Sequence, residues 1–154
     1  MQLKRHESGF TFIEMLVVAV LVSVLATIGM VSYTAAAKHT RDARRKQDAD
    51  NIRVALESYR QATGAYPQAC GQPQANTGRS DLCTDWIVGM TPDYMSELSS
   101  DPTQGSTNGH GYEYIRLSDT TYRLVVYLEN ADDPLANGDE YGLASEAYVQ
   151  EEPK

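Results

Sequence analysis

One stretch of the chain contains only uncharged residues. From Met15 to Ala37 no charged side chain occurs, and most of the stretch is aliphatic. It therefore exceeds the ~20 apolar residues that a membrane-spanning helix needs. Because so much apolar surface is unfavourable in water, this segment must be buried in lipid or in protein.

The next stretch predicts that the helix continues. Residues 38–63 contain no proline or glycine and are rich in Ala and Arg. An apolar stripe recurs at helical spacing, and it consists of Ala49, Ile52, Leu56 and Tyr59. We predict one helix from about Phe10 to Thr63, stopped by Gly64, whose second half packs on a small sheet and whose first half protrudes.

The sequence pattern of the carboxy-terminal region predicts β-strands. Residues 112–117 and 122–128 are rich in aromatic and β-branched side chains, and the polar residues 118–121 separate them. This pattern predicts an antiparallel hairpin, with a further edge strand near residues 147–150. Trp86 is expected in the core. The predicted fold class is α+β.

The charge is unevenly distributed along the chain. The formal net charge is −8, and beyond residue 60 only four basic residues stand against fifteen acidic ones. Such an acidic body repels phosphate backbones, so nucleic acid is an unlikely partner. A basic run could bind anionic headgroups or DNA, but we expect a solvated helix face that pairs with acidic domains of other subunits. This run comprises Lys38, Arg41, Arg44, Arg45 and Lys46.

The two cysteines, Cys70 and Cys83, flank a polar loop that has few apolar residues to order it. A disulfide between them would stabilise the fold by about 3 kcal/mol. Such a bond implies an oxidising compartment outside the cytoplasm.

The amino-terminal end differs from a secretory signal. Such a signal is cleaved after its apolar run, whereas here Gly9 precedes the run, so a cut at Gly9 would leave the helix on the protein. A plain membrane anchor is the alternative. Glu14 is a costly charge at the head of a lipid-facing helix, which suggests a partner or a function. It could instead only cap the first helical turn.

The run Gly9-Phe10-Thr11-Phe12-Ile13-Glu14, followed by the apolar segment, resembles the class III signal of type IV pilins and type II secretion pseudopilins. The resemblance implies that a prepilin peptidase cuts after Gly9 and that the new amine of Phe10 is methylated. It also implies that Glu14 guides assembly by pairing with that amine on a neighbouring subunit. The segment LESYRQATGAYP resembles the helix-to-loop junction of major pseudopilins and of many bacterial pilins.

The resemblance implies four segments: a leader over 1–9, a filament-core helix over 10–37, an amphipathic half over 38–63 and a head over 64–154. We expect a pilin-like major subunit that polymerises with itself, served by the prepilin peptidase and the inner-membrane pilus assembly machinery. The precursor would lie in the membrane and the product in an extracellular filament. Two alternatives stay open, a major pseudopilin and a membrane-anchored minor pilin that binds DNA or surfaces.

The charges that flank the apolar run favour the opposite orientation. The leader has Lys4 and Arg5 against Glu7, whereas residues 38–46 carry five bases and one acid. The positive-inside rule alone would place residues 38–46, and the head after them, in the cytoplasm. The disulfide and the leader motif both place the head outside, and we follow them.

The stretch 129–140 gathers oxygen ligands around Gly138, as calcium prefers. Major pseudopilins carry a calcium-binding loop near this position, so the resemblance implies Ca²⁺ as a possible ligand. A solvated acidic loop is the alternative. The candidate ligands are Asp132, Asp133, Asn137 and Asp139.

Catalytic signatures are weak. The three histidines, His6, His39 and His110, lie in segments that the predicted fold does not bring together with a serine and an acid as a catalytic triad. No phosphate-binding glycine loop occurs in the sequence. We therefore expect a protein that is not an enzyme.

Overall fold

The computed structural model describes residues 9–71, 76–103, 111–138, 143 and 147–152. The chain divides into two compact units, Met1–Ala37 and Lys38–Lys154. One helix, α1, runs over Phe12–Thr63. Four strands follow, namely β1 at Thr77–Arg79, β2 at Glu113–Arg116, β3 at Tyr122–Tyr127 and β4 at Ala147–Glu152. The α+β fold, with the helix on a small antiparallel sheet, is confirmed.

Helix α1 begins two residues later than predicted, because Thr11 acts as its cap. The Thr11 hydroxyl accepts a hydrogen bond from the Glu14 backbone N–H at 3.4 Å, and the Thr11 backbone N–H donates to the Glu14 carboxylate at 2.8 Å. This reciprocal pair is a capping box. The helix ends at Thr63 as predicted, where Gly64 adopts a φ of 86° that favours glycine.

Within the first unit, helix α1 carries no charge from Met15 to Ala37, and many of its large apolar side chains are exposed. Ile13 and Leu25 are each 69% exposed. By length and composition this part of α1 could cross a membrane. Its hydroxyl groups bond inward, since Ser23 donates to the Ala19 carbonyl at 2.7 Å and Thr27 to the Ser23 carbonyl at 2.9 Å. These two hydroxyls therefore do not depend on water.

The second half of α1 supplies one side of the core in the second unit. Ala49, Ile52 and Leu56 are at most 1% exposed, which confirms the predicted stripe, and Tyr59 packs against it partly buried. The other side of the core comes from the strands and loops, as Trp86, Tyr112, Tyr114, Tyr122, Leu124 and Val126. Trp86 is a core residue, as expected.

The sheet is antiparallel throughout and its strand order is β1-β2-β3-β4. The β2–β3 pair is the predicted hairpin, with Tyr114 opposite Leu124, and β4 is the predicted edge strand, with Val149 opposite Val125. Strand β1 was not predicted. It is short and polar, and Gly78 allows it to approach the core closely, since a Cβ at Gly78 would lie 1.9 Å from the Trp86 carbonyl oxygen.

The predicted disulfide between Cys70 and Cys83 is present, with their Cα atoms 6.5 Å apart. Both cysteines pack partly buried against the core, and the Cys70 backbone N–H donates to the Trp86 carbonyl at 3.3 Å. The bond therefore pins the polar loop that carries β1 to the rest of the head.

Replacing Leu56 tests the helix–sheet core. Leu56→Ala should lower the free energy of unfolding of the head by about 2–5 kcal/mol, because it opens a cavity under the sheet. The measurement is urea unfolding of the full chain in detergent, followed by the fluorescence of Trp86, the single tryptophan. Val54→Ala is the control, since Val54 is 61% exposed on the same helix and its loss should cost under about 0.5 kcal/mol. Equal effects of the two changes would contradict this packing.

Candidate functional site

The residues around the proposed cleavage point form an open segment. Gly9 and Phe10 precede the helix in an irregular conformation, and Phe10 is 78% exposed. Within the described residues, nothing lies within 4 Å of a Cβ added at Gly9. The chain between these two residues is therefore accessible to another protein.

Glu14 is engaged at the start of its own helix. Its carboxylate accepts hydrogen bonds from the Thr11 backbone N–H at 2.8 Å and from the Thr11 hydroxyl at 2.7 Å. The capping alternative is therefore the arrangement within a single chain. Sequence reasoning gave Thr11 no role, although the Thr-x-x-Glu spacing was a signal for a capping box.

Comparison with known proteins concerns this same end of the chain. Residues 4–30 match a family model described as the prokaryotic N-terminal methylation motif. The chain carries a class III signal sequence. No curated protein matches the chain, and no solved structure matches it. The matched range contains Gly9, Phe10 and Glu14 but none of the head.

The class III signal is the sequence that type IV pilins and pseudopilins share. The individual roles of Gly9 in cleavage and of Phe10 in methylation stay predictions. The pairing of Glu14 with a Phe10 amine needs a neighbouring subunit, so it also stays a prediction. What the geometry adds is that Glu14 must leave, or share, its bonds to Thr11 in order to make that pair.

A second group of charged residues lies at the amino-terminal end of the second unit. Arg45 is 2% exposed, and its Nε donates to the Asp101 carboxylate at 2.6 Å. Its remaining nitrogens donate to Asp42 at 2.7 Å, to Glu129 at 2.9 Å and to the Thr103 hydroxyl at 3.0 Å. A buried guanidinium is thus surrounded by hydrogen-bond acceptors from α1 and from two loops.

The carboxylates around Arg45 are themselves bonded to further groups. Asp42 accepts hydrogen bonds from the backbone N–H groups of Glu129 at 2.8 Å and Asn130 at 3.0 Å. Arg41 donates two hydrogen bonds to Glu129, the one from Nε at 2.6 Å. We call Arg41, Asp42, Arg45, Asp101 and Glu129 the arginine cluster. It fastens the loops around residues 101 and 129 to α1.

The cluster keeps Asp101 and Glu129 ionised. Hydrogen bonds from Arg41, and then from Arg45, lower the pKa of Glu129 to about 2 against the opposing effect of burial. Burial alone would raise the pKa of Asp101, but hydrogen bonds from Arg45 and Thr103 outweigh it, so that pKa is lowered. Both acids therefore stay charged at neutral pH.

The expectation of a solvated basic face was wrong for most of the basic run. Arg41, Arg45 and Lys46 pair with acids of their own head, Lys46 with Asp133 at 2.6 Å, rather than with another subunit. Sequence reasoning missed these pairs because Asp101 and Glu129 lie 56 and 84 positions from Arg45. Arg44 remains 67% exposed. Because Arg41, Arg45 and Lys46 are paired with acids of the same head, the basic run can bind phosphate groups only weakly.

The predicted calcium ligands do not converge in the described part of the chain. Asp133 is bonded to Lys46, and the Asn137 side chain accepts from the Val149 N–H at 2.7 Å and donates to the Val149 carbonyl at 3.1 Å. Asp132 is exposed and Asp139 lies outside the described residues. Among the described residues no group of three or more His, Cys, Asp or Glu could hold a metal. These residues do not fit a cation site, and calcium binding through Asp139 stays a prediction.

Replacing Arg45 tests the arginine cluster. Arg45→Met should destabilise the head by about 3–5 kcal/mol, because it leaves buried carboxylates without their cation. The control is Arg44→Met at the exposed neighbouring arginine, which should change stability by less than about 0.5 kcal/mol. Urea unfolding of the full chain, read through Trp86 fluorescence, measures both variants. Matching midpoints for the two would show that Arg45 is not held as described.

Proposed function

We propose that this chain is the major structural subunit of a type IV pilus filament. The chain is a type IV pilin- or pseudopilin-like precursor, as its methylation motif indicates. The observation that carries the proposal is this motif at the start of an exposed apolar helix that continues into a folded, disulfide-bonded head. Its role is structural, and its partners are other copies of the same chain.

Processing prepares the subunit for assembly. Cleavage after Gly9 removes the basic leader and makes Phe10 the first residue, and the open segment there supports access by a prepilin peptidase. The apolar helix stays on the mature protein. That helix anchors the chain in the membrane both before and after the cut, with the acidic, disulfide-bonded head outside.

Assembly exchanges lipid around the helix for neighbouring helices. Since lipid is as apolar as the helix, this exchange is driven by side-chain packing and by polar contacts between helices. Glu14 supplies such a contact when its carboxylate meets the Phe10 amine of a neighbour. A subunit in the wrong register would leave this carboxylate unpaired in an apolar setting, at a cost of a few kcal/mol.

A second candidate is the major pseudopilin of a type II secretion system. It is favoured by the junction segment at residues 56–67, which resembles that of major pseudopilins. It is disfavoured by the bonding of Asp133 and Asn137 to other protein groups, because a major pseudopilin would be expected to use this loop for calcium. The length of filaments sheared from cells distinguishes the two.

Cleavage is tested at Gly9. Amino-terminal sequencing of the wild-type product should begin at Phe10, and Gly9→Ala should leave the unprocessed precursor in the membrane, since the class III signal is expected to be cut after a glycine. Ser8→Ala, one position earlier, is the control and should be processed normally. A mature protein that had lost residues 10–37 would contradict the whole proposal.

The assembly role of Glu14 is tested by comparing a variant that removes its carboxylate with one that weakens only the helix cap. Glu14→Ala should be cleaved normally yet yield few filaments, because the Phe10 amine of the neighbour loses its partner. Thr11→Val removes the hydroxyl of the capping box but keeps the carboxylate, so it should assemble close to normally. Filaments sheared from cells are quantified for each variant. An equal loss of filaments in Glu14→Ala and Thr11→Val would show that Glu14 acts only as a helix cap.

A further inference from the structure

The charge-free run of α1 is longer than a bilayer requires. Residues 15–37 carry no charge, and they form about 35 Å of helix at about 1.5 Å per residue. The hydrocarbon core of a bilayer is about 30 Å thick, which corresponds to ~20 helical residues. The run can therefore cross a membrane at more than one depth, and the chemistry of its two ends decides which residues enter the lipid.

The two ends of the run differ in apolar surface. Residues 15–18 are Met, Leu, Val and Val, and each is about half exposed. Residues 34–37 are Thr, Ala, Ala and Ala. Because transfer into lipid is more favourable the more apolar area it buries, a span that includes residues 15–18 is favoured over one that includes residues 34–37.

Glu14 limits the depth from the other side. It directly precedes the run, and its carboxylate accepts hydrogen bonds from the Thr11 N–H at 2.8 Å and the Thr11 hydroxyl at 2.7 Å. A span that began before Glu14 would place this carboxylate in hydrocarbon, where a charge is costly. The membrane span therefore begins at Met15, and ~20 residues from there bring it to its end beside Tyr33.

Tyr33 has the chemistry of a residue at this boundary. No other Phe, Tyr or Trp occurs between Phe12 and Tyr59, and Tyr33 is 75% exposed. A tyrosine side chain joins an apolar ring to a hydroxyl, and tyrosines are enriched where the hydrocarbon of a membrane meets its headgroups. The helix from Met15 to Tyr33 is about 27 Å long, so the ring lies near the end of the hydrocarbon layer.

We propose that Tyr33 contacts the phospholipid headgroup layer on the side of the membrane from which the head emerges. This inference rests on the proposed function, in which α1 anchors the chain in a membrane before assembly. It divides the charge-free run into two parts. Residues 15–32 lie in lipid, whereas residues 34–37 lie beyond the hydrocarbon although they carry no charge.

Tryptophan fluorescence in vesicles measures this depth. The full chain is reconstituted in vesicles of phosphatidylcholine and phosphatidylglycerol whose acyl chains carry bromine, a fluorescence quencher, either close to the headgroup or close to the terminal methyl group. Tyr33→Trp places the probe at the proposed boundary. Leu25→Trp is the matched control, because Leu25 is also exposed and lies about 12 Å deeper on the same helix. The signal of Trp86, measured in the unsubstituted chain, is subtracted.

The Tyr33→Trp probe should be quenched several-fold more strongly by the shallow bromines than by the deep ones, and Leu25→Trp should show the reverse order. Since tryptophan itself favours the membrane interface, deep quenching of Leu25→Trp also shows that the probe does not move the helix. A boundary at Ala37 would instead place position 33 about 6 Å deeper.

Three results would contradict the inference. Stronger quenching of Tyr33→Trp by the deep bromines would place the boundary beyond Tyr33. Quenching of Leu25→Trp alone would place the boundary before Tyr33. Either result overturns the inference and leaves the proposed function intact. Absence of quenching in both variants would show that α1 does not enter the bilayer, and it would overturn the membrane step of the proposed function as well.

Discussion

The head depends on the neutralisation of the charges that α1 brings to it. Arg45 lies 2% exposed between Asp42 and Asp101, and a buried guanidinium is tolerated only when its hydrogen bonds are met. The next turns of the helix place Ile52 and Leu56 against the sheet. The loops that supply Asp101 and Glu129 are ordered by the same contacts. Helix, sheet and loops are therefore held by a buried polar centre beside the apolar core that contains Ile52 and Leu56.

Local patterns in the sequence were sufficient for much of this fold. The spacing of Ile52 and Leu56 predicted the buried face of α1, because that signal lies within two helical turns. The β2–β3 hairpin was predicted from alternation and from a short polar turn. Strand β1 was missed, since Thr77–Arg79 is only three residues long with a glycine at its centre, and its position depends on Gly78 fitting against the Trp86 backbone.

The candidate site was likewise predicted from the sequence only in part. The leader motif is contiguous, so Gly9, Phe10 and Glu14 could be singled out from sequence. The arginine cluster could not, because its members are far apart along the chain and acidic residues are abundant throughout the head. The same abundance made Asp133 look like a metal ligand, whereas its charge is balanced by Lys46.

The Asn137 side chain covers part of one edge of the sheet. It bonds to both the N–H and the carbonyl of Val149, on the outer edge of β4. An uncovered strand edge attracts further strands, which is the usual route to aggregated protein. The Asn137 amide occupies both the N–H and the carbonyl of Val149, so at this position the edge of β4 has no free backbone group to offer a strand of another molecule.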